Sequence, residues 1–171
     1  PQYSPEAVQR LMSSSSLTLR KKLELPFQLN FASVDLVKLL SWVEAQLDID
    51  FRPLVDPEAL AEVTVQASDR PLVETLCDVL SRRNMALMLQ RDTVVIIPCE
   101  QTVKTTVQGQ SRIVSFQMET QIQCHLDEAI ELYCGDKAQY RLHLLAREKP
   151  IEPVAPSQRV VMTSLYVGRE L

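Results

Sequence analysis

Two stretches of the chain carry the same amphipathic pattern, and this constrains the fold more than any other feature. After the apolar run Phe27-Gln28-Leu29-Asn30-Phe31, residues Leu36, Leu39, Leu40 and Val43 recur at helical intervals. After Ile113-Val114-Ser115-Phe116-Gln117-Met118, residues Leu126, Ala129, Ile130 and Tyr133 recur at the same intervals. Side chains so spaced share one helix face, so each stretch predicts a strand followed by a core-facing helix. Repetition on this scale points to small modules in tandem and away from one large catalytic domain.

The first stretch can be followed to a natural end. Residues Pro5 to Met12 read as a short helix capped by Ser4, and Ser13 to Ser16 as a hinge. Leucines alternate with polar residues from Leu17 to Leu25, as in an edge strand, with Pro26 interrupting. Ser33 stands where the cap of the next helix belongs. Ile49 to Arg52 is a short strand and Val63 to Ala67 a half-buried one. Pro71 sits at the first position of a helix whose core face is Leu72, Leu76, Val79 and Leu80. Ala86 to Gln90 and Thr93 to Ile97 form a hairpin through Arg91-Asp92. The polar stretch 100–110 reads as a linker. Beyond it the second copy offers strand, helix, a strand over Tyr140 to Leu145, a proline-bearing loop from Ala146 to Ser157, and a strand over Arg159 to Ser164. The expected class is α+β, with two βαββαββ-type modules in tandem and the second incomplete or divergent. The expected segments are 1–16 (helix and linker), 17–99 (first module), 100–110 (linker) and 111–171 (second module).

Composition removes several function classes. A net charge of −4 over 171 residues argues against nucleic acid, which requires clustered Lys and Arg. No apolar run approaches the roughly 20 residues that a membrane-spanning helix needs. Only three glycines occur, too few for a phosphate-cradling loop. The chain opens on Pro1 without a charged-then-apolar leader, which predicts a processed product or a fragment. No cofactor is expected.

Candidate chemistry is sparse. Cys77, Cys99, Cys124 and Cys134 form neither a CxxC pair nor metal-ligand spacing, and read as unpaired thiols. The one nucleophilic alternative is a thiol-dependent hydrolase built from Cys124, His125 and His143. It requires thiol and imidazole to converge, with a third group orienting the base. Asp48, Asp50, Asp56 and Glu58 lack the glycine turn of a calcium loop and read as a solvated surface. Arg20-Lys21-Lys22 reads as charge protecting an edge strand. Trp42 reads as packing. The expectation is a non-enzymatic chain with no catalytic, cofactor or metal residues.

The stretch from Leu25 to Pro98 resembles the short N-terminal domain shared by secretins and TonB-dependent outer-membrane transporters. The resemblance rests on Phe27 to Phe31, Asp35-Leu36 with Leu39-Leu40, Ile49-Asp50-Phe51 and Asp56-Pro57. It continues through Val63-Thr64-Val65, Pro71 to Leu76, and Leu87 with Val95-Ile96-Ile97-Pro98. The second copy is similar more loosely, through Phe116, the helix expected from Leu126, Tyr140-Arg141-Leu142 and Arg159 to Met162, and its proline-bearing loop departs from the pattern. The resemblance implies two helices packed between small β-sheets. It implies a periplasmic or outer-membrane-associated module that docks protein partners of the cell envelope and can self-associate into rings. The edges expected to dock them are Leu17–Leu25 and Thr93–Ile97.

Overall fold

The computed structural model describes residues 4–105, 111–125, 127–145 and 157–170, with side chains described except at 111–113, 123–125 and 157–170. The fold is mixed α+β. Two serines open its first helices. Ser4 Oγ accepts from Ala7 N at 3.2 Å and caps α1, Pro5–Leu11. Ser13 Oγ accepts from Ser16 N at 3.1 Å and caps α2, Ser14–Glu24. The run Leu17–Leu25 is therefore helical and not an edge strand. Its alternating leucines hide a second register, in which Ser16, Leu19 and Leu23 are buried on one helix face. The serine tract that reads as a hinge is the cap that selects this register. Pro26 ends the helix by holding Leu25 in extended backbone, with ψ 139°.

From Pro26 to Pro98 the elements follow the expected order. Strand β1, Pro26–Asp35, leads into α3, Leu36–Leu47, which buries Leu36, Leu39, Leu40 and Val43. Ser33 does not cap α3. It lies in a bulge of β1 with φ 58°, and its hydroxyl donates to the Glu62 carboxylate. Strands β2, Asp50–Pro53, and β3, Glu62–Pro71, follow, and Pro71 closes β3 just ahead of the helix. Helix α4, Leu72–Ser81, buries Leu72, Leu76, Val79 and Leu80. Strands β4, Met85–Gln90, and β5, Thr93–Pro98, form the hairpin, with Arg91 at φ 56° in its turn.

The second half departs from the repeat. Glu100–Thr105, expected as linker, is strand β6, and the rest of that stretch lies outside the described residues. Strand β7 spans Ser111–His125. In place of the helix expected over Leu126 to Tyr133, the described residues Ala129–Cys134 form strand β8, and all six are buried. A strand covered on both faces is apolar almost throughout, so its residues also satisfy a helical template. Strand β9, Tyr140–Leu145, falls where expected, and β10, Ser157–Glu170, contains the last expected strand. The proline-bearing loop falls almost entirely outside the described residues.

Pairing also crosses the expected module boundary. β1 and β3 form a two-stranded antiparallel sheet. The central sheet runs β2-β5-β4-β8-β9, so strands from both halves share it. Leu87, Met88 and Leu89 of β4 lie opposite Tyr133, Leu132 and Glu131 of β8. The third sheet runs β10-β7-β6. Two cores result. Leu87 and Leu89 pack with leucines of α2, α3 and α4 and with Leu29, Val63 and Val65 of the two-stranded sheet. Met88 and Ala86, on the opposite face of β4, pack with Val114, Phe116 and Met118 of β7. The order is thus small sheet, helices, central sheet, third sheet.

Candidate functional site

Glu131 is the one fully buried charged residue among the described residues, at 0% exposure. It lies mid-strand in β8, opposite Leu89 of β4 and His143 of β9, so its side chain enters the helix-facing core. Burial of a carboxylate requires partners, and three basic side chains converge on it. Arg20, from α2, donates to Oε2 from Nε at 2.9 Å and also from Nη2. Arg141 Nε approaches Oε1 at 3.6 Å and His143 Nε2 approaches Oε2 at 3.7 Å, both from the edge strand β9. Oε1 and the Tyr133 hydroxyl are buried without a hydrogen-bond partner of ordinary geometry among the described residues. Burial alone raises a carboxyl pKa. Here His143, Arg20 and Tyr133, together with the charge of Arg20, outweigh it and bring Glu131 down to about 2.

This arrangement holds a negative charge in place. A carboxylate so firmly ionised is a poor proton donor or acceptor near neutral pH, but it ties α2 and the exposed half of β9 to one point of the central sheet. A second tie runs nearby, where the buried Ser16 hydroxyl donates to the Arg91 carbonyl at 3.2 Å. The tripeptide Arg20-Lys21-Lys22 therefore does not shield a strand edge. Arg20 turns inward to Glu131, and Lys22 Nζ donates to the Asp48 carbonyl at 2.8 Å.

Of the residues proposed for thiol chemistry, His143 sits at the rim of this cluster in the central sheet. The backbone of Cys124 and His125 closes β7 in the third sheet, opposite Gln158 and Ser157, and their side chains lie outside the described ones. Cys77, Cys99 and Cys134 are buried and free. Burial pushes the Cys77 thiol up, and the neighbouring Cys99 together with burial does the same to Cys134, so both stay protonated at neutral pH. Asp48, Asp50, Asp56 and Glu58 are exposed, and no group of metal-ligating side chains converges among the described residues. Trp42 packs edge-on against Phe27 and Phe31, with ring centroids 5.7 and 5.4 Å away.

An open, polar cleft of about 550 Å³ lies where the β4–β5 turn meets the third sheet, between Arg52, Arg91, Asp92, Gln121 and Ile122. Arg91 is already engaged there, 3.7 Å from Glu128. No described helix is long and apolar enough to cross a membrane. Glu131 escaped sequence reading because its neighbours made the stretch look helical. The available signal was a lone acid inside Ala129-Ile130-Glu131-Leu132-Tyr133 with a basic residue on either side of Leu142.

Thr93–Ile97, expected as a docking edge, lies in β5 between β2 and β4, and Thr93 to Ile96 are paired on both sides. Leu17–Leu25 is helix α2 and its C-cap. The central sheet instead ends on β2 and β9, and the third on β10 and β6, each with one described pairing partner. No protein family, curated protein or solved structure matches the chain.

Proposed function

We propose that this chain is a non-enzymatic docking module of a cell-envelope assembly of the secretin or transporter kind. It acts in the periplasm or at the outer membrane and joins protein partners through the edges of β9 and β6. The observation that carries this reading is β9. It forms one end of the central sheet among the described residues, and Arg141 and His143 along it are fixed from behind by a buried carboxylate. An unpaired edge offers a row of backbone donors and acceptors to an incoming strand. Anchoring that edge lowers the entropy lost when a partner adds to it. The sequence resemblance over Leu25–Pro98 supplies the compartment and the class of partner.

The test is site-specific photo-cross-linking in the intact cell envelope. The cross-linker replaces Leu145 on β9, Thr102 on β6, or Val37 on the exposed surface of α3 as a control. The reading expects discrete protein adducts from the two edges and none from Val37. Equal adducts at all three positions, or adducts only from Val37, would overturn it.

A further inference from the structure

Strand β6 carries a charge pattern that complements itself. Its six residues, Glu100-Gln101-Thr102-Val103-Lys104-Thr105, pair with β7 from Glu100 opposite Gln117 to Thr105 opposite Arg112. Among the described residues nothing pairs with its other side. All of its residues but Gln101 are exposed. Gln101 and Val103 lie opposite the buried Phe116 and Val114, so they occupy the inner face, where Val103 is left 40% exposed. Glu100, Thr102 and Lys104 share the outer face by alternation. Neither the Glu100 nor the Lys104 side chain has a partner among the described residues.

We infer that β6 pairs antiparallel with β6 of a second copy of this chain, about a twofold axis at Thr102. In that register Glu100 faces Lys104 of the second copy, and Lys104 faces its Glu100. Thr102 meets its own counterpart, a favourable cross-strand pair, and each Val103 gains Gln101 opposite and the other Val103 on the diagonal. The third sheet then runs unbroken through six strands, and the unpaired edge of β6 disappears. Other registers lose this match: an axis at Gln101 or Val103 leaves the charges opposite uncharged residues, and parallel in-register pairing sets like charges against each other. Such an interface is isologous and closes at two copies.

The inference rests on the reading of free edges as docking surfaces and names the occupant of one of them. It is tested on the full chain by sedimentation equilibrium at up to sub-millimolar concentration. The wild type should show a reversible species at twice the 19.4 kDa chain mass. Glu100→Lys and Lys104→Glu each turn both ion pairs into repulsions, so each should weaken the dimer by about tenfold or more. An equimolar mixture of the two variants should restore dimers, as should the double exchange E100K/K104E. A wild type that stays monomeric, a dimer indifferent to the single reversals, or variants that fail to recombine would overturn the inference. Thermal unfolding matched to wild type establishes that the variants are folded. Cross-linking from Leu145 separates the two readings. Envelope adducts from a monomeric wild type would refute self-pairing and leave docking standing, whereas a charge-dependent dimer without such adducts would do the reverse.

Discussion

The buried Glu131 makes a quantitative demand on stability. Its carboxyl is brought from an ordinary value of 4.5 to about 2 on folding. A drop of that size is worth about 3 kcal/mol of stability at neutral pH. The sign follows from the direction: the folded state binds its proton more weakly than the unfolded chain. The contribution is therefore complete above the unfolded pKa and is lost as pH falls through the folded one, between roughly pH 5 and pH 2. Glu131→Gln keeps the shape and one acceptor but removes the charge that Arg20 engages. It should destabilise the protein by about 2–3 kcal/mol at pH 7 and flatten the acid limb of its stability profile. Arg20→Met removes the partner instead and strands a buried charge, at a cost of about 3–5 kcal/mol. Exchanging both, in R20M/E131L, should recover most of that loss, because an apolar pair of similar volume replaces the ion pair. The assay is urea unfolding at a series of pH values from 7 down to 3. If E131Q and wild type gave parallel profiles, Glu131 would not be the ionised anchor of α2 and the reasoning would fail.

Other sites give independent expectations. The Asp78 carboxyl is raised, first by its hydrogen bond with Asp136 and then by burial and the neighbouring negative charge. Such a pair opposes folding once the pH exceeds the raised value, so Asp136→Asn should stabilise the protein by about 0.5 kcal/mol at pH 7 and by less at pH 4, measured by thermal unfolding. Trp42→Ala should cost about 1–3 kcal/mol through the lost edge-on contacts with Phe27 and Phe31. Gly135 has φ 79°, and a Cβ there would stand 2.8 Å from Tyr140 Cδ2. Gly135→Ala should therefore cost about 1–3 kcal/mol by chemical denaturation.

How far the fold could be read from sequence depended on what each residue's neighbours allowed. Helix α3 was legible because Leu36, Leu39, Leu40 and Val43 bury one face and leave Lys38 and Ser41 outside, and α4 was legible for the same reason. The β4–β5 hairpin was legible from two apolar runs separated by Arg91-Asp92. Helix α2 is hidden in the sequence because Leu17, Leu19, Leu23 and Leu25 alternate as a strand does while only Leu19 and Leu23, with Ser16, share the buried helix face, and its cap lies in a serine run that resembles a hinge. The helix expected in the second copy gives way to a strand for a deeper reason. Strand β8 is covered by helices on one face and by β7 on the other, so it carries no period of its own. Once Ala129–Cys134 is a strand, the second half supplies the outer strands of the first half's sheet. The anchor cluster was invisible because Arg20 and Glu131 are far apart in sequence and meet only through that shared sheet.

The most direct test of the docking account is amide hydrogen exchange on the chain alone and on the cross-linked partner complex recovered from the envelope. The account predicts that Tyr140–Leu145 gains protection in the complex while α3, Leu36–Leu47, is unchanged. Protection confined to the helices, with exchange along β9 unaltered, would contradict it.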